Sequence, residues 1–229
     1  MLLWRFGLLV EDPAVFFSLF ALVAIALVVG LTIHEFAHGL VAYLLGDHTA
    51  KRQGRLTLNP LKHLDPVGTL AIFLVGFGWG KPVPVNYQLL GKNPRRGMAL
   101  VASAGVVLNL ATAAVFGGLI RAGVVDWSLP PYWTMEGPEI GSFAAGIVGY
   151  IVFLNVVLAV FNLIPIPPLD GFKIAVGVLP ARQAYAYARL ERYGGLILLV
   201  VLLVGYATGL LWDILMWPVE QFIRLFTGL

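Results

Sequence analysis

An all-α polytopic membrane protein, with about four transmembrane helices and one glycine-rich re-entrant or extended segment, is the fold class that this 229-residue sequence predicts. Three observations point to it. First, 59% of the residues are hydrophobic and only 12% charged, roughly half the charged share of a soluble domain, and the mean hydropathy is +0.88. That apolar excess is too large for one soluble core and must face lipid. Second, apolar runs long enough to cross a hydrocarbon core of about 30 Å recur along the chain, separated by short polar segments. Third, His34, Glu35 and His38 lie near the end of the first run, and ionisable groups at membrane depth are costly enough to mark function. The whole of residues 1–229 reads as one membrane-embedded domain.

Residues 1–10 are apolar and aromatic, interrupted by Arg5 and followed by Glu11, Asp12 and Pro13; the stretch is too short to span and reads as an interfacial segment. With only Arg5 to supply positive charge, it makes a poor signal peptide. The first span is expected at 14–45, closed by Gly46-Asp47. Pro66 then opens a short run, 67–85, in which Gly76, Gly78 and Gly80 precede Val83 and Val85. This predicts an extended or re-entrant path, tolerated at membrane depth only where protein or a watery cavity covers the backbone. Further spans are expected at 97–120, 140–163 and 195–217. Between the last two, Pro165, Pro167 and Pro168 rule out continued helix, since each lacks a backbone donor and fixes φ.

The basic residues set the expected orientation. Lys51, Arg52, Arg55, Lys62, Lys92, Arg95 and Arg96 fall on the same side of the predicted topology as Lys173, Arg182, Arg189 and Arg192, whereas 122–139 contains no lysine or arginine. By the positive-inside tendency the basic side is cytoplasmic. The net charge of +3 is distributed as in membrane-surface loops, so the lipid bilayer and not nucleic acid is the expected partner. The chain contains no cysteine, which excludes disulfides and thiolate metal ligation.

His34-Glu35-Phe36-Ala37-His38 is an HExxH sequence. On a helix, residues four apart share a face, so the two imidazoles can address one metal ion while Glu35 reaches a water on it. A catalytic zinc usually has three protein ligands and one open position. Candidates for the third are few. Asp170 stands in the proline-shaped stretch Asn162-Leu163-Ile164-Pro165-Ile166-Pro167-Pro168-Leu169-Asp170-Gly171, while His48 and His63 lie in the basic loop and read better as solvated surface residues.

The pairing of HEFAHG with a distant NLIPIPPLDG resembles the site-2 protease family of intramembrane zinc metalloproteases. The GFGWG segment and the Ala104-Gly105-x-x-x-Asn109 span resemble that family's core as well. The resemblance implies one zinc held by His34, His38 and Asp170, with Glu35 as catalytic acid/base and Asn162 holding substrate or the oxyanion. It is to a small core version, without an insertion of PDZ size, a nucleotide-sensing domain or a complete span before the HExxH helix.

The expected activity is hydrolysis of peptide bonds in single-span membrane proteins within or near the bilayer, as in regulated intramembrane proteolysis. The expected location is a prokaryotic cell membrane with the site toward the cytoplasm. A transmembrane helix must unwind before it can be cut, and the strand around Gly78 and Gly80 is expected to offer it an edge by β-strand addition. Asn109 either lines the cavity or joins helices. The rival readings are a catalytically silent zinc-containing helix-binding protein, against which Glu35 speaks, and a zinc transporter, which needs a metal path to both faces.

Overall fold

The computed structural model describes residues 11–75, 78–127 and 143–229. Its α-helices of eight residues or more are α1 (Pro13–Leu44), α2 (Pro66–Val75), α3 (Pro94–Arg121), α4 (Phe143–Asn162), α5 (Asp170–Val178), α6 (Ala181–Ala188), α7 (Gly194–Thr208) and α8 (Leu210–Thr227). Among the described residues, four helical stretches are long and apolar enough to cross a membrane: α1, α3, α4 and the stretch Ala181–Thr208. The predicted fold class holds. The interfacial reading of residues 1–10, Gly76, and most of the loop after α3 lie outside the described residues.

Local chemistry sets the helix starts. The Asp12 carboxylate accepts from the Val15 amide ahead of Pro13, and Asn93 accepts from Arg96 N ahead of Pro94; each supplies an N-cap followed by proline at the first helical position. At 32 residues, α1 is about 48 Å long, more than a bilayer core requires, so its HExxH end can carry polar groups toward one surface. It ends at Leu45 before Gly46, whose φ of 108° suits glycine.

Helix α3 is the hub, packing against α1, α4, α5 and α8. Ala113 and Ile120 of α3, Val152, Val156 and Val160 of α4 and Val219 of α8 form one buried cluster; Leu22 and Ala26 of α1 with Tyr150 and Ile151 of α4 form another. Close crossings rest on small residues, as expected where lipid supplies no hydrophobic drive between helices. A Cβ on Gly177 of α5 would stand 2.2 Å from Ala99 Cβ of α3.

Two elements differ from the sequence expectation. The run 67–85 divides into α2 and an extended segment, with Gly80 bridged antiparallel to Leu64. The run 195–217 divides at Gly209, where φ of 74° separates α7 from α8. Apolar composition is continuous across Gly209 and conceals the turn.

The extended segment is pinned along its length. Lys81 N donates to the His63 carbonyl, Arg55 Nη2 donates to the carbonyls of Lys81 and Pro82, and Asn86 N donates to Asp47 Oδ2 at 2.6 Å. Polar loop residues thereby lay 80–86 across the end of α1 that carries Glu35.

Candidate metal centre

His34 and His38, one turn apart on α1, bring their Nε2 atoms within 3.0 Å of each other. Asp170 Oδ2 lies 3.0 Å from each of them. The proline turn after α4 carries Asp170 in: Leu163 to Leu169 fold back on themselves, and α5 starts at the aspartate itself. A Cβ on Gly171 would meet the Leu163 carbonyl oxygen at 2.2 Å, so the turn needs glycine there. Tyr187 OH, from α6, donates to the Pro165 carbonyl and ties the turn down. His34 and Asp170 are buried, at 6% and 4% exposure.

Proton placement in this triangle follows from the outer contacts. His38 Nδ1 lies 2.7 Å from the Val101 carbonyl, which only accepts, so Nδ1 carries a proton and, in the neutral ring, Nε2 is a bare lone pair. His34 Nδ1 lies 2.8 Å from Asn109 Oδ1, which leaves its Nε2 bare by the same reasoning. Lys173 Nζ donates to Asp170 Oδ1 at 3.1 Å, while the buried Oδ2 receives no hydrogen bond. With both rings neutral, three electron-pair donors converge here, an arrangement that repels itself unless a cation joins it.

The donor set fits zinc. Two imidazole nitrogens and one carboxylate oxygen are ordinary zinc ligands, and tetrahedral bonds of about 2.0–2.1 Å hold such atoms roughly 3.3 Å apart. The three atoms found here are the sole group of three among the described residues that could hold a metal ion.

Helix α3 builds the surround. Val101, Gly105 and Asn109 recur at i, i+4 and i+8 and so share one face. A Cβ on Gly105 would stand 2.6 Å from His34 Cε1 and 2.7 Å from His38 Cε1. The missing side chain admits both rings and uncovers the Val101 carbonyl one turn earlier. Asn109 both contacts His34 and joins helices, since its Nδ2 donates to the Gly30 carbonyl and to Asn155 Oδ1.

Glu35 reaches the extended segment, where its Oε2 accepts from Val83 N at 2.7 Å. Asn162 Nδ2 donates to the Leu158 carbonyl within its own helix. Gly80 lies in the bridge to Leu64, and Gly78 precedes it in the extended path. The structure corrects the reading of His63 as a surface residue: it is fully buried, with Nε2 on the Thr57 carbonyl and its own carbonyl receiving Lys81 N. It braces the extended segment from inside the loop. His48 is exposed and stacks near Tyr43; neither histidine joins the triangle.

Sequence reading did not anticipate the Val101 carbonyl, the Val83 amide or the bracing by Arg55 and Asp47. Backbone groups have no sequence signature. Asn155, a polar residue inside a span, was a visible signal without a visible partner.

Fold and site together are those of a membrane-embedded zinc metalloprotease. Comparison with known proteins agrees: residues 133–205 match the sequence profile described as Peptidase family M50. "Putative zinc metalloprotease YwhC" of Bacillus subtilis is 39% identical over 215 residues, covering 93% of this chain and 94% of the relative. The Rip2 protein of Mycolicibacterium smegmatis, named in the same way, is 31% identical over 90% of this chain and 75% of its own length. Rip2 of Mycobacterium tuberculosis is 28% identical over 94% and 79%. No solved structure matches the chain. The chain belongs to peptidase family M50, the site-2 proteases, and its cofactor is zinc.

Proposed function

We propose that this protein is an intramembrane endopeptidase that cuts single-span membrane proteins within or near the bilayer, with His34, His38 and Asp170 as zinc ligands and Glu35 as acid/base. The observation that carries the reading is the triangle of three metal-ligating atoms, buried among membrane-spanning helices. Zinc bound there supplies Lewis-acid polarisation of the scissile carbonyl and lowers the pKa of a water toward 7. Glu35 does the proton work. Its Oε2 is held by Val83 N, which leaves Oε1 to take the proton from that water and hand it to the leaving amine.

The substrate has to be extended at the site, because a helix keeps its amides internally bonded. Segment 78–86, which includes Gly78 and Gly80, offers the edge for strand addition. Pro82 and Pro84 lack donors, and Val83 N is committed to Glu35. The Val83, Pro84 and Val85 carbonyls and the Val85 amide make no hydrogen bond among the described residues, so the edge offers mostly acceptors. Asn162, on leaving Leu158, would donate to the developing oxyanion. Lys and Arg crowd the end of α3 where α1 finishes, which supports a cytoplasmic site in a bacterial cell membrane.

The test is zinc content together with cleavage of a single-span substrate in detergent, for wild type, Glu35→Gln and Asp170→Ala. Wild type should hold about one zinc and cut. Glu35→Gln should keep the metal and lose roughly 10²-fold or more in rate. Asp170→Ala should lose zinc. Retained cleavage in Glu35→Gln would sink the acid/base role, and full occupancy in Asp170→Ala would sink the ligand assignment.

A further inference from the structure

We infer that Asn155, which touches neither histidine, fixes the ring tautomer of His34 through Asn109, and so keeps His34 Nε2 open to metal. The inference rests on His34 being a ligand, as proposed above, but concerns a residue one step beyond the site. Both asparagines are fully buried, and both act as positioning residues.

The hydrogen bonds form a chain with only one self-consistent direction. It starts at the Ile151 carbonyl on α4, which can only accept, so Asn155 must turn its NH2 toward it; that bond is 2.8 Å. Asn155 Oδ1 then faces α3 and accepts from Asn109 Nδ2 at 2.9 Å, while the same NH2 also reaches the Gly30 carbonyl of α1 at 3.3 Å. With its NH2 engaged, Asn109 can show His34 only its oxygen. The oxygen requires a proton on Nδ1, at 2.8 Å. Nε2 is left without one.

The competing tautomer has a clear attraction. A proton on His34 Nε2 would face Asp170 Oδ2, a buried carboxylate oxygen 3.0 Å away that otherwise has no donor. That form would close the triangle to metal. Adopting it means turning Asn109 end for end, which sets its oxygen against Asn155 Oδ1 and the Gly30 carbonyl. In a buried, apolar layer such unpaired contacts are expensive. Asn155 thus converts a helix carbonyl of α4 into a proton position on α1.

The experiment uses the full chain in detergent. In zinc-free protein at alkaline pH, ¹⁵N NMR of the four histidines reads the His34 tautomer directly, without activity or metal. Wild type should carry the proton on Nδ1, and Asn155→Leu should shift population to Nε2. Zinc affinity, measured by chelator competition, should fall about tenfold in Asn155→Leu, at the low end for outer-shell partners. In an Asn109→Asp background both terminal atoms accept whichever way the group turns, so the same Asn155→Leu change should cost less than about threefold.

An equal loss in both backgrounds would make Asn155 mere interhelical glue and overturn the inference. So would a wild-type His34 protonated on Nε2, a result that stands even if Asn155→Leu does not fold. The tautomer and the ligand assignment fail separately, since the NMR reading needs no zinc.

Discussion

Gly105 sets how closely α3 can approach the two imidazoles. The Cβ of an alanine there would lie 2.6 to 2.8 Å from His34 Cε1, His38 Cε1 and His34 Nδ1. The rings cannot swing away without breaking their Nδ1 bonds to Val101 and Asn109. Gly105→Ala should therefore weaken zinc by at least about tenfold, as loss of ligand orientation does elsewhere. Overpacking should also cost roughly 1–3 kcal/mol of stability. Chelator competition and thermal unfolding of the zinc-free protein check the two effects, and unchanged affinity would show that the rings have room the geometry denies. Lys173 acts differently: by taking Asp170 Oδ1 it leaves Oδ2 as the oxygen that faces the histidines. Lys173→Met should keep the fold and lower zinc affinity by a fewfold, since the Lys173 side chain is 37% exposed and its charge partly screened by water.

At the scale of elements, the extended segment 80–86 holds Glu35, and the loop after α1 holds that segment. Its strongest tie is Asp47, fully buried, which accepts from Thr49 N at 2.9 Å and Asn86 N at 2.6 Å. Burial alone would raise this carboxyl's pKa; the hydrogen bonds from Thr49 and Asn86, with Arg52 nearby, outweigh it and hold the group below the ordinary carboxylate value. A depressed folded pKa contributes stability that is whole above about pH 4 and disappears as pH falls through the folded value. Zinc-free wild type should accordingly be more stable than Asp47→Asn at pH 7, by about 1–3 kcal/mol, with the gap closing in acid. Thermal melts across that pH range decide it, and a gap that persists in acid would remove the carboxylate's charge from the account. Val83→Pro deletes one donor between two existing prolines, so the segment should stay extended while Glu35 loses its anchor. The expected result is retained zinc with a rate lowered by about tenfold or more.

For the whole molecule the question is which end faces the cytoplasm. Helix α3 runs about 42 Å from Pro94 to Arg121, and Gly105 lies about 17 Å from its basic end, so the triangle is deep but nearer that side. The natural chain has no cysteine, so single substitutions report topology without a background. In intact cells Lys62→Cys and Lys92→Cys should resist a membrane-impermeant maleimide, and Val124→Cys, at a position 69% exposed beyond the far end of α3, should react. The opposite pattern would place the site toward the outside.

The amino-acid sequence by itself determined the first three spans, the HExxH pair and the distant aspartate. Apolar run length and i, i+4 spacing are local properties, and Pro and Gly punctuation marks where helices stop. Asp170 was legible because a carboxylate in an apolar, proline-bound stretch has few other uses. Only the tertiary structure decided that His63 is buried, that the run 195–217 turns at Gly209, and that Val83 holds Glu35. It alone also set the direction of the asparagine chain. His34 meets Asn109 across 75 positions and Asn109 meets Asn155 across 46. Periodicity shows which face of a helix is polar, but the crossing of three helices determines which polar groups meet, and a hydrogen bond takes its direction from the partner at the far end.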